Sequence, residues 1–362
     1  MKRVPLNDLS RQNSALRDEL SVVSRRVIDS GWFIQGEEGR SFEVAFAAYC
    51  SVQHCVGVAN GTDAIELALR AAGVKAGDTI ATVANSGFYS SMAILAIGAV
   101  PLYIDVDPVT QLMDPSALRR GLEQEAVSAV VVTHLYGQLA DMDTILPLCG
   151  AKKIAVIEDC AQAHGARRNG KMAGAFGTAG CFSFYPTKNL GALGDAGAVT
   201  TNDPAFAARL RSLRQYGWDQ KYRVGLVGGR NSRLDELQAA LLSVKLRHLD
   251  RWNEERREIA RRYAEEISHP GIRRVQPPGA DHVAHLVVLC CADRDRFRRH
   301  LDANGIATDI HFPVPDHQQS TNEQSIRLVE TERLAGEIVT IPCFNGMEEV
   351  EIRRVIAAVN GW

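Results

Sequence analysis

The sequence predicts an α/β fold: a large domain on a mainly parallel sheet covered by helices, then a smaller C-terminal α/β domain. Three observations carry this. Between about residues 54 and 200, short apolar runs alternate with amphipathic segments of helical length, as in a parallel sheet with helical crossovers. The runs are continuous in Val, Ile and Ala rather than alternating, as strands buried on both faces require. After Ala198-Val-Thr-Thr the chain turns rich in Arg and Glu, and its 362 residues suit two domains sharing a cleft. The expected division is 1–245, including the N-terminal segment, and 246–362.

The elements follow in order. Cys55-Val-Gly-Val-Ala reads as a strand and Thr62 to Ala72 as a helix. Thr79-Ile-Ala-Thr-Val-Ala is a strand, then Ser90 to Ile97 a helix. Leu102-Tyr-Ile-Asp, Ala129-Val-Val-Val-Thr and Ile154-Ala-Val-Ile-Glu are further strands, and Cys181-Phe-Ser-Phe-Tyr is an alternating run. Leu234 to Ile267 reads as one long helix or two in series, with Glu258 and Arg262 as an i,i+4 pair on a solvated face. Pro270-Gly271 and Pro277-Pro278-Gly279 punctuate the chain. His282 to Cys291 reads as a strand, Arg294 to Asn304 as a helix and Val350 to Val359 as a closing helix.

Composition excludes several classes. A net charge of -2 gives no basic field for nucleic acid or an anionic membrane. The longest apolar stretch, Met92 to Ile104, is interrupted by Gly98 and Pro101 and is too short to span a bilayer. The N-terminus lacks the apolar core of a signal peptide, so a cytoplasmic location is expected. The eight cysteines form no Cys-x-x-Cys pair and are expected to be buried thiols, with no metal site. Gly165-Ala-Arg-Arg-Asn-Gly-Lys171 imitates a P-loop, but Met172 replaces the Ser or Thr that would hold magnesium. A turn between two short strands is expected there. No Gly-x-Gly-x-x-Gly follows the first strand, which argues against a nicotinamide-dependent dehydrogenase.

Candidate chemistry gathers where strands end, the place ligands occupy in such sheets. Asp159 closes one apolar run and Lys188 lies just past the next. A lysine amine and an acid so placed suit pyridoxal phosphate: the amine attaches the cofactor aldehyde, and the carboxylate keeps the pyridine nitrogen protonated. Gly191-Ala-Leu-Gly-Asp-Ala-Gly197 beyond Lys188 would let backbone approach a ligand. Gly61-Thr62 opens a helix whose free amides suit a phosphate, and Ser183 adds a hydroxyl. Gln162 and His164 lie close to Asp159. Each feature alone also fits a plainer role: a helix N-cap for Asp159 or Thr62, a surface position for Lys188, a structural place for His164.

Four segments, Asn60-Gly-Thr-Asp-Ala, Glu158-Asp-Cys-Ala-Gln-Ala-His-Gly, Ser183-Phe-Tyr-Pro-Thr-Lys-Asn-Leu-Gly-Ala and Gly229-Arg-Asn-Ser-Arg-Leu-Asp-Glu-Leu-Gln-Ala-Ala, occur in this order. Together they resemble the DegT/DnrJ/EryC1/StrS family of pyridoxal phosphate-dependent sugar aminotransferases, over nearly the whole chain. The resemblance implies the aspartate aminotransferase fold (fold type I), whose large domain has a mainly parallel seven-stranded-type sheet. It implies Lys188 as the cofactor-bearing lysine, Asp159 at the pyridine nitrogen and Gln162 against the ring. Gly61, Thr62 and Ser183 would hold the phosphate, and Asn231 would reach it from the partner of a homodimer with shared active sites. Tyr185, His311 and His317 would face the sugar. The implied reaction moves an amino group from an amino acid, by family habit L-glutamate, to a dTDP- or UDP-linked keto sugar. The Asn60-Gly-Thr-Asp-Ala segment looks more like members acting at C3 than at C4.

Two departures stand out. Where members have Asn-Thr-Phe, with an aromatic that stacks on the cofactor, this chain has Asn85-Ser-Gly-Phe-Tyr. Ungapped counting puts Gly87 at the aromatic position, so Phe88 or Tyr89 must stack, and Phe88 is the cofactor-binding candidate. Asp316 replaces a Leu in the segment His311-Phe-Pro-Val-Pro-Asp-His317. Two rival readings remain. Family members that dehydrate sugars carry His where this chain has Lys188. A cofactor-binding regulator would need no competent sugar pocket.

Overall fold

The computed structural model describes residues 3–274, 279–322 and 324–362. Pro277 and Pro278 lie outside them, while Pro270-Gly271 forms the expected turn. Helices α1 (Leu9–Ser14), α2 (Arg17–Ser30) and α3 (Glu37–Cys50) come first. Then β1 (His54–Val58), α4 (Gly61–Ala71), β2 (Thr79–Val83), α5 (Tyr89–Ala96), β3 (Val100–Ile104), α6 (Pro115–Gln124), β4 (Val127–Thr133), α7 (Met142–Gly150) and β5 (Ala155–Asp159) alternate. Two short strands, β6 (Arg167–Arg168) and β7 (Lys171–Met172), pair antiparallel across the false P-loop, as expected of a turn there. They lead to β8 (Ala179–Ser183), β9 (Gly197–Thr201), α8 (Pro204–Leu213) and the ribbon β10 (Trp218–Gln220) and β11 (Arg223–Val224).

The strands form a seven-stranded sheet in the order β1-β9-β8-β5-β4-β2-β3. Its pairings are parallel except those of β9, which runs against both neighbours. The burial patterns explain the continuous apolar runs: every residue of β9 and the last five of β4 are buried. One core packs Ile65, Leu69, Ile94 and Phe206 against Val56, Val131 and Val199. Another stacks Phe42, Phe46, Phe182 and Phe184, with edge-to-face contacts at ring-centroid distances of 4.9 to 5.4 Å. Helix starts are fixed by side-chain caps, Asn60 on the Asp63 amide, and Asp114 and Asp203 ahead of Pro115 and Pro204.

The Arg- and Glu-rich stretch forms two helices in series, α9 (Glu236–Leu246) and α10 (Leu249–Glu266), so the expected boundary at 245 falls one residue before the end of α9. Then come β12 (Arg273–Arg274), β13 (Val287–Cys290), α11 (Arg294–Ala303), α12 (Val329–Glu337), β14 (Ile338–Ile341) and α13 (Glu349–Asn360). β12, β13 and β14 make a three-stranded antiparallel sheet. Val4 pairs with Ile306 and packs in the core beneath this second sheet.

Two expectations are corrected. The strand expected over His282 to Cys291 is confined to Val287–Cys290. Ala284 takes a positive φ of 46°, and the Val283 amide donates to the Gly137 carbonyl, so the segment before β13 follows the loop after β4 instead. Arg262 pairs with Glu266 and Glu349, while Glu258 pairs with Arg261, so the expected Glu258–Arg262 pair does not form. All eight cysteines are free and buried. Among the described residues no helix is long and apolar enough to cross a membrane.

Candidate active site

A cavity of about 890 Å³ opens at the carboxyl ends of the central strands. Its lining includes Gly61, Thr62, Asp159, Gln162, Ser183, Tyr185, Lys188 and His311. Phe88, Asn231 and His317 do not line it. His317 is buried elsewhere, with Nε2 3.2 Å from Glu332. Asn231 is exposed and forms a bridge with Gln215. Phe88 turns away, and Tyr89, half exposed at 51%, occupies the wall in its place.

Asp159 is the last residue of β5 and no helix follows it, so it is not an N-cap. Its Oδ1 accepts from the Ala161 amide at 3.1 Å, and Ser90 and Thr133 hydroxyls stand 3.4 and 3.5 Å from Oδ2. Burial raises its carboxyl above the usual range, opposed by the Ala161 amide and Lys188. Lys188 is half-buried, with its amine enclosed at the cavity. Desolvation pushes this amine down to about 8, while Asp159 acts to raise it. The adjacent Glu158 is buried on the other side of the sheet. It accepts from the amides of Gly174, Phe176 and Gly177 at 2.7 to 2.9 Å and from His134 Nε2 at 3.0 Å. His134 Nδ1 accepts from the Ala140 amide, which fixes the tautomer. Glu158 and His134, which lie close to Cys160, are therefore satisfied as a structural tie rather than a metal site.

The N-terminus of α4 also lines the cavity, against the end of β8. Asn60, not Thr62, is the cap: its side chain accepts from Asp63. Gly61 and Thr62 therefore hold the first two helical positions, whose amides have no partner within the helix. A Cβ on Gly61 would lie 2.6 Å from the Ser183 Cβ, so only glycine lets the helix start against β8. Arg230 also lines the cavity and pairs with Glu66 and, at 3.3 Å, with Asp63.

Tyr136 ties two further wall residues. Its amide donates to Gln162 Oε1 at 2.6 Å, and its hydroxyl donates to the His311 carbonyl at 2.6 Å. The first bond commits the Gln162 oxygen and leaves its amide nitrogen to donate elsewhere. His311 Nδ1 lies 2.8 Å from the Thr340 hydroxyl, and burial lowers its basicity. His285, which no sequence motif singles out, also lines the cavity and lies 2.9 Å from Asn189 Oδ1. Its segment reads as an apolar strand, so no local signal marks it. His164 is buried between Phe182 and Phe184, pushed down to about 3 by desolvation, and takes no part in the lining.

The sequence profile of the DegT/DnrJ/EryC1/StrS aminotransferase family matches residues 15–360. The chain belongs to this family. It is 44% identical, over 99% of both chains, to a protein of Aneurinibacillus thermoaerophilus named dTDP-3-amino-3,6-dideoxy-alpha-D-galactopyranose transaminase. It is 42% identical, over 98% of both chains, to the erythromycin biosynthesis sensory transduction protein EryC1 of Saccharopolyspora erythraea. The crystal structure of S. venezuelae DesV in complex with a ketimine intermediate superposes with a TM-score of 0.96 at 40% identity, covering 100% of this chain and 99% of that one. The family and this superposition agree with the aspartate aminotransferase fold expected from the motifs.

Proposed function

We propose that this chain is a pyridoxal phosphate-dependent transaminase that moves an amino group from an amino acid, L-glutamate, to the keto carbon of a nucleotide-linked sugar, at C3 rather than C4. The observation that carries the reading is that Lys188, Asp159 and the bare start of α4 line one cavity. The residues fit the cofactor. Gly61 and Thr62 amides with the Ser183 hydroxyl would hold its phosphate. Asp159 would hold the ring nitrogen, Gln162 would donate at the ring, and Tyr89 would stack on it. When bound, the cofactor supplies an electron sink that stabilises a carbanion beside the amine.

The chain's own groups do the rest. Lys188 Nζ, pushed down to about 8 by desolvation, would hold the cofactor and, once freed, would serve as the base at the donor α-carbon and, in the second half, as the acid at the sugar carbon that gains the amino group. Tyr185 and His311 line the cavity and would face the sugar. The similarity to a dTDP-3-amino sugar transaminase supports both the nucleotide sugar and C3.

The active form we propose is a homodimer with shared sites. Trp32, Phe33, Tyr222 and Val227 are 53 to 96% exposed, large apolar side chains of the kind a partner covers. The Glu236 amide donates to the Phe33 carbonyl, which places Phe33 beside the segment that follows Asn231, and from there Asn231 would reach the partner's phosphate site.

Adding L-glutamate to the yellow holoenzyme tests the first half: bleaching with release of the keto acid is expected. A panel of dTDP- and UDP-keto sugars with mass detection of amino products tests the second. The regulatory name of one relative favours a rival, a cofactor-binding regulator. A holoenzyme that glutamate leaves yellow would support that rival and sink the transaminase.

A further inference from the structure

The two departures from the family pattern meet in space. Asp316, fully buried, opens a 3-10 turn over Asp316–Gln318. Its amide donates to the Ala84 carbonyl, just past β2, at 2.7 Å. Its carboxylate accepts from the Phe88 amide at 2.9 Å and from the Ser91 hydroxyl at 2.6 Å. Ser91 in turn accepts from the Tyr103 hydroxyl at 3.0 Å, and Tyr103 from Asn322 Nδ2 at 2.5 Å. Every donor in this chain points toward Asp316, so each of its two carboxyl oxygens serves as an acceptor, one for the Phe88 amide and one for the Ser91 hydroxyl.

The turn it holds needs holding. Gly87 and Phe88 both take positive φ, 83° and 71°, a conformation Phe adopts only under constraint. Phe88 is the N-cap of α5 and supplies no side-chain cap. Asp316, 228 residues later in sequence, places its carboxylate at that helix start instead. The same two segments touch at the cavity. A Cβ on Gly87 would lie 2.9 Å from the Phe312 ring, and the Tyr89 and Phe312 rings meet edge to face at 6.0 Å. Tyr89 and Phe312 both line the cavity, whereas Asp316 does not.

We propose that Asp316 is a positioning residue: it locks the Gly87–Tyr89 turn to the Phe312 segment and thereby sets the Tyr89 wall against which the cofactor ring rests. This rests on the reading of the cavity as a pyridoxal phosphate site. A leucine here would leave the part-buried Phe88 amide without this partner and the turn unsupported. An aspartate supports the turn through the segment that carries His311 and Phe312, so the cofactor wall and the sugar-side wall move as one unit. No lysine, arginine or histidine bonds to this carboxylate among the described residues, so its place is explained by the amide and hydroxyl it holds.

The test uses wild type, Asp316→Leu, Tyr89→Ala and the double variant, each prepared as apoenzyme and titrated with pyridoxal phosphate. The circular dichroism of the bound cofactor and the melting temperature are recorded alongside. Each single variant is expected to weaken cofactor binding by about tenfold and to reduce the cofactor signal, with the double variant no weaker than Tyr89→Ala alone. Additive losses, about a hundredfold in the double variant, would show that Asp316 does not act through Tyr89 and overturn the proposal. So would an Asp316→Leu protein with wild-type affinity and cofactor signal but a lower melting temperature. Should Asp316→Leu not fold, Asp316→Asn and Ser91→Ala replace it in the same cycle: non-additive losses with Tyr89→Ala support the proposal, and additive losses overturn it. Wild-type protein that does not bind pyridoxal phosphate would sink the site reading itself, a separate outcome.

Discussion

Gly61 and Ser183 approach so closely that a Cβ on the glycine would sit 2.6 Å from the serine Cβ. This contact shapes the proposed phosphate cradle. Gly61→Ala is expected to push α4 off β8 and displace both partnerless amides, costing about 1–3 kcal/mol. Cofactor dissociation from the purified protein should rise accordingly, by roughly tenfold or more. Ser183→Ala keeps the backbone and removes one donor, so its loss should be smaller. Unchanged affinity in Gly61→Ala would remove the cradle from this wall.

Lys188 gives a pH prediction. Desolvation lowers its amine from 10.5 to about 8. Only the neutral amine attacks an aldehyde, so capture of pyridoxal phosphate by the apoenzyme should accelerate up to about pH 8 and then level off. Asp159 raises this amine, so Asp159→Asn should move the plateau to lower pH while leaving a weakly active cofactor. Lys188→Ala should abolish turnover. Stopped-flow absorbance reads the capture rate, and a rate still climbing at pH 10 would contradict an enclosed amine.

Most of the sheet was legible because strands buried on both faces read as unbroken apolar runs, whereas β8 read as an alternating run and the count of seven came with the family resemblance. Asp159, Lys188 and Gly61 were legible because strand ends and helix starts have sequence signatures. What escaped was set by long-range contact. His285 reaches the cavity through a positive φ at Ala284, which no periodicity announces. Phe88 and Tyr89 are adjacent, and the choice between them depends on a carboxylate at residue 316. His317 shares a segment with His311 yet turns into the 3-10 turn and pairs with Glu332.

Glu158 offers a stability test separate from chemistry. It accepts from three amides and one imidazole. Glu158→Gln keeps the volume but offers one oxygen and an NH2 group, so at least one buried amide loses its acceptor. Destabilisation of about 2–4 kcal/mol is expected, read by urea unfolding. A change under about 0.5 kcal/mol would show that the tie is dispensable.

Asp316 predicts an opposite pH trend from ordinary acids. Burial raises its carboxyl from 3.8 to about 7, against the pull of Ser91 and Phe88. Between these values the folded protein holds a proton that the unfolded chain has released. Its stabilising effect is full below about pH 4 and is lost as pH rises through about 7. At about 1.4 kcal/mol per unit the loss reaches a few kcal/mol. The nearby titratable groups, Tyr103 through Ser91 and His317 beside Glu332, remain in Asp316→Asn. Wild type should therefore lose stability relative to Asp316→Asn between about pH 4 and pH 7 in urea unfolding, and parallel curves would contradict the burial.

The shared dimer site can be tested by mixing subunits. Lys188→Ala has no cofactor-bearing amine, and Asn231→Ala lacks the group proposed to cross to the partner. Each alone should be impaired. In a mixed dimer, one site pairs an intact Lys188 with an intact Asn231, and the other has neither. Random reassociation makes half the dimers mixed, with one good site of two, so about a quarter of wild-type turnover should return. Mixing should restore activity only under conditions that let subunits exchange. If the Lys188→Ala and Asn231→Ala proteins exchange fully, shown by a mass-tagged heterodimer, and no turnover returns, Asn231 serves its own subunit and the shared site is wrong.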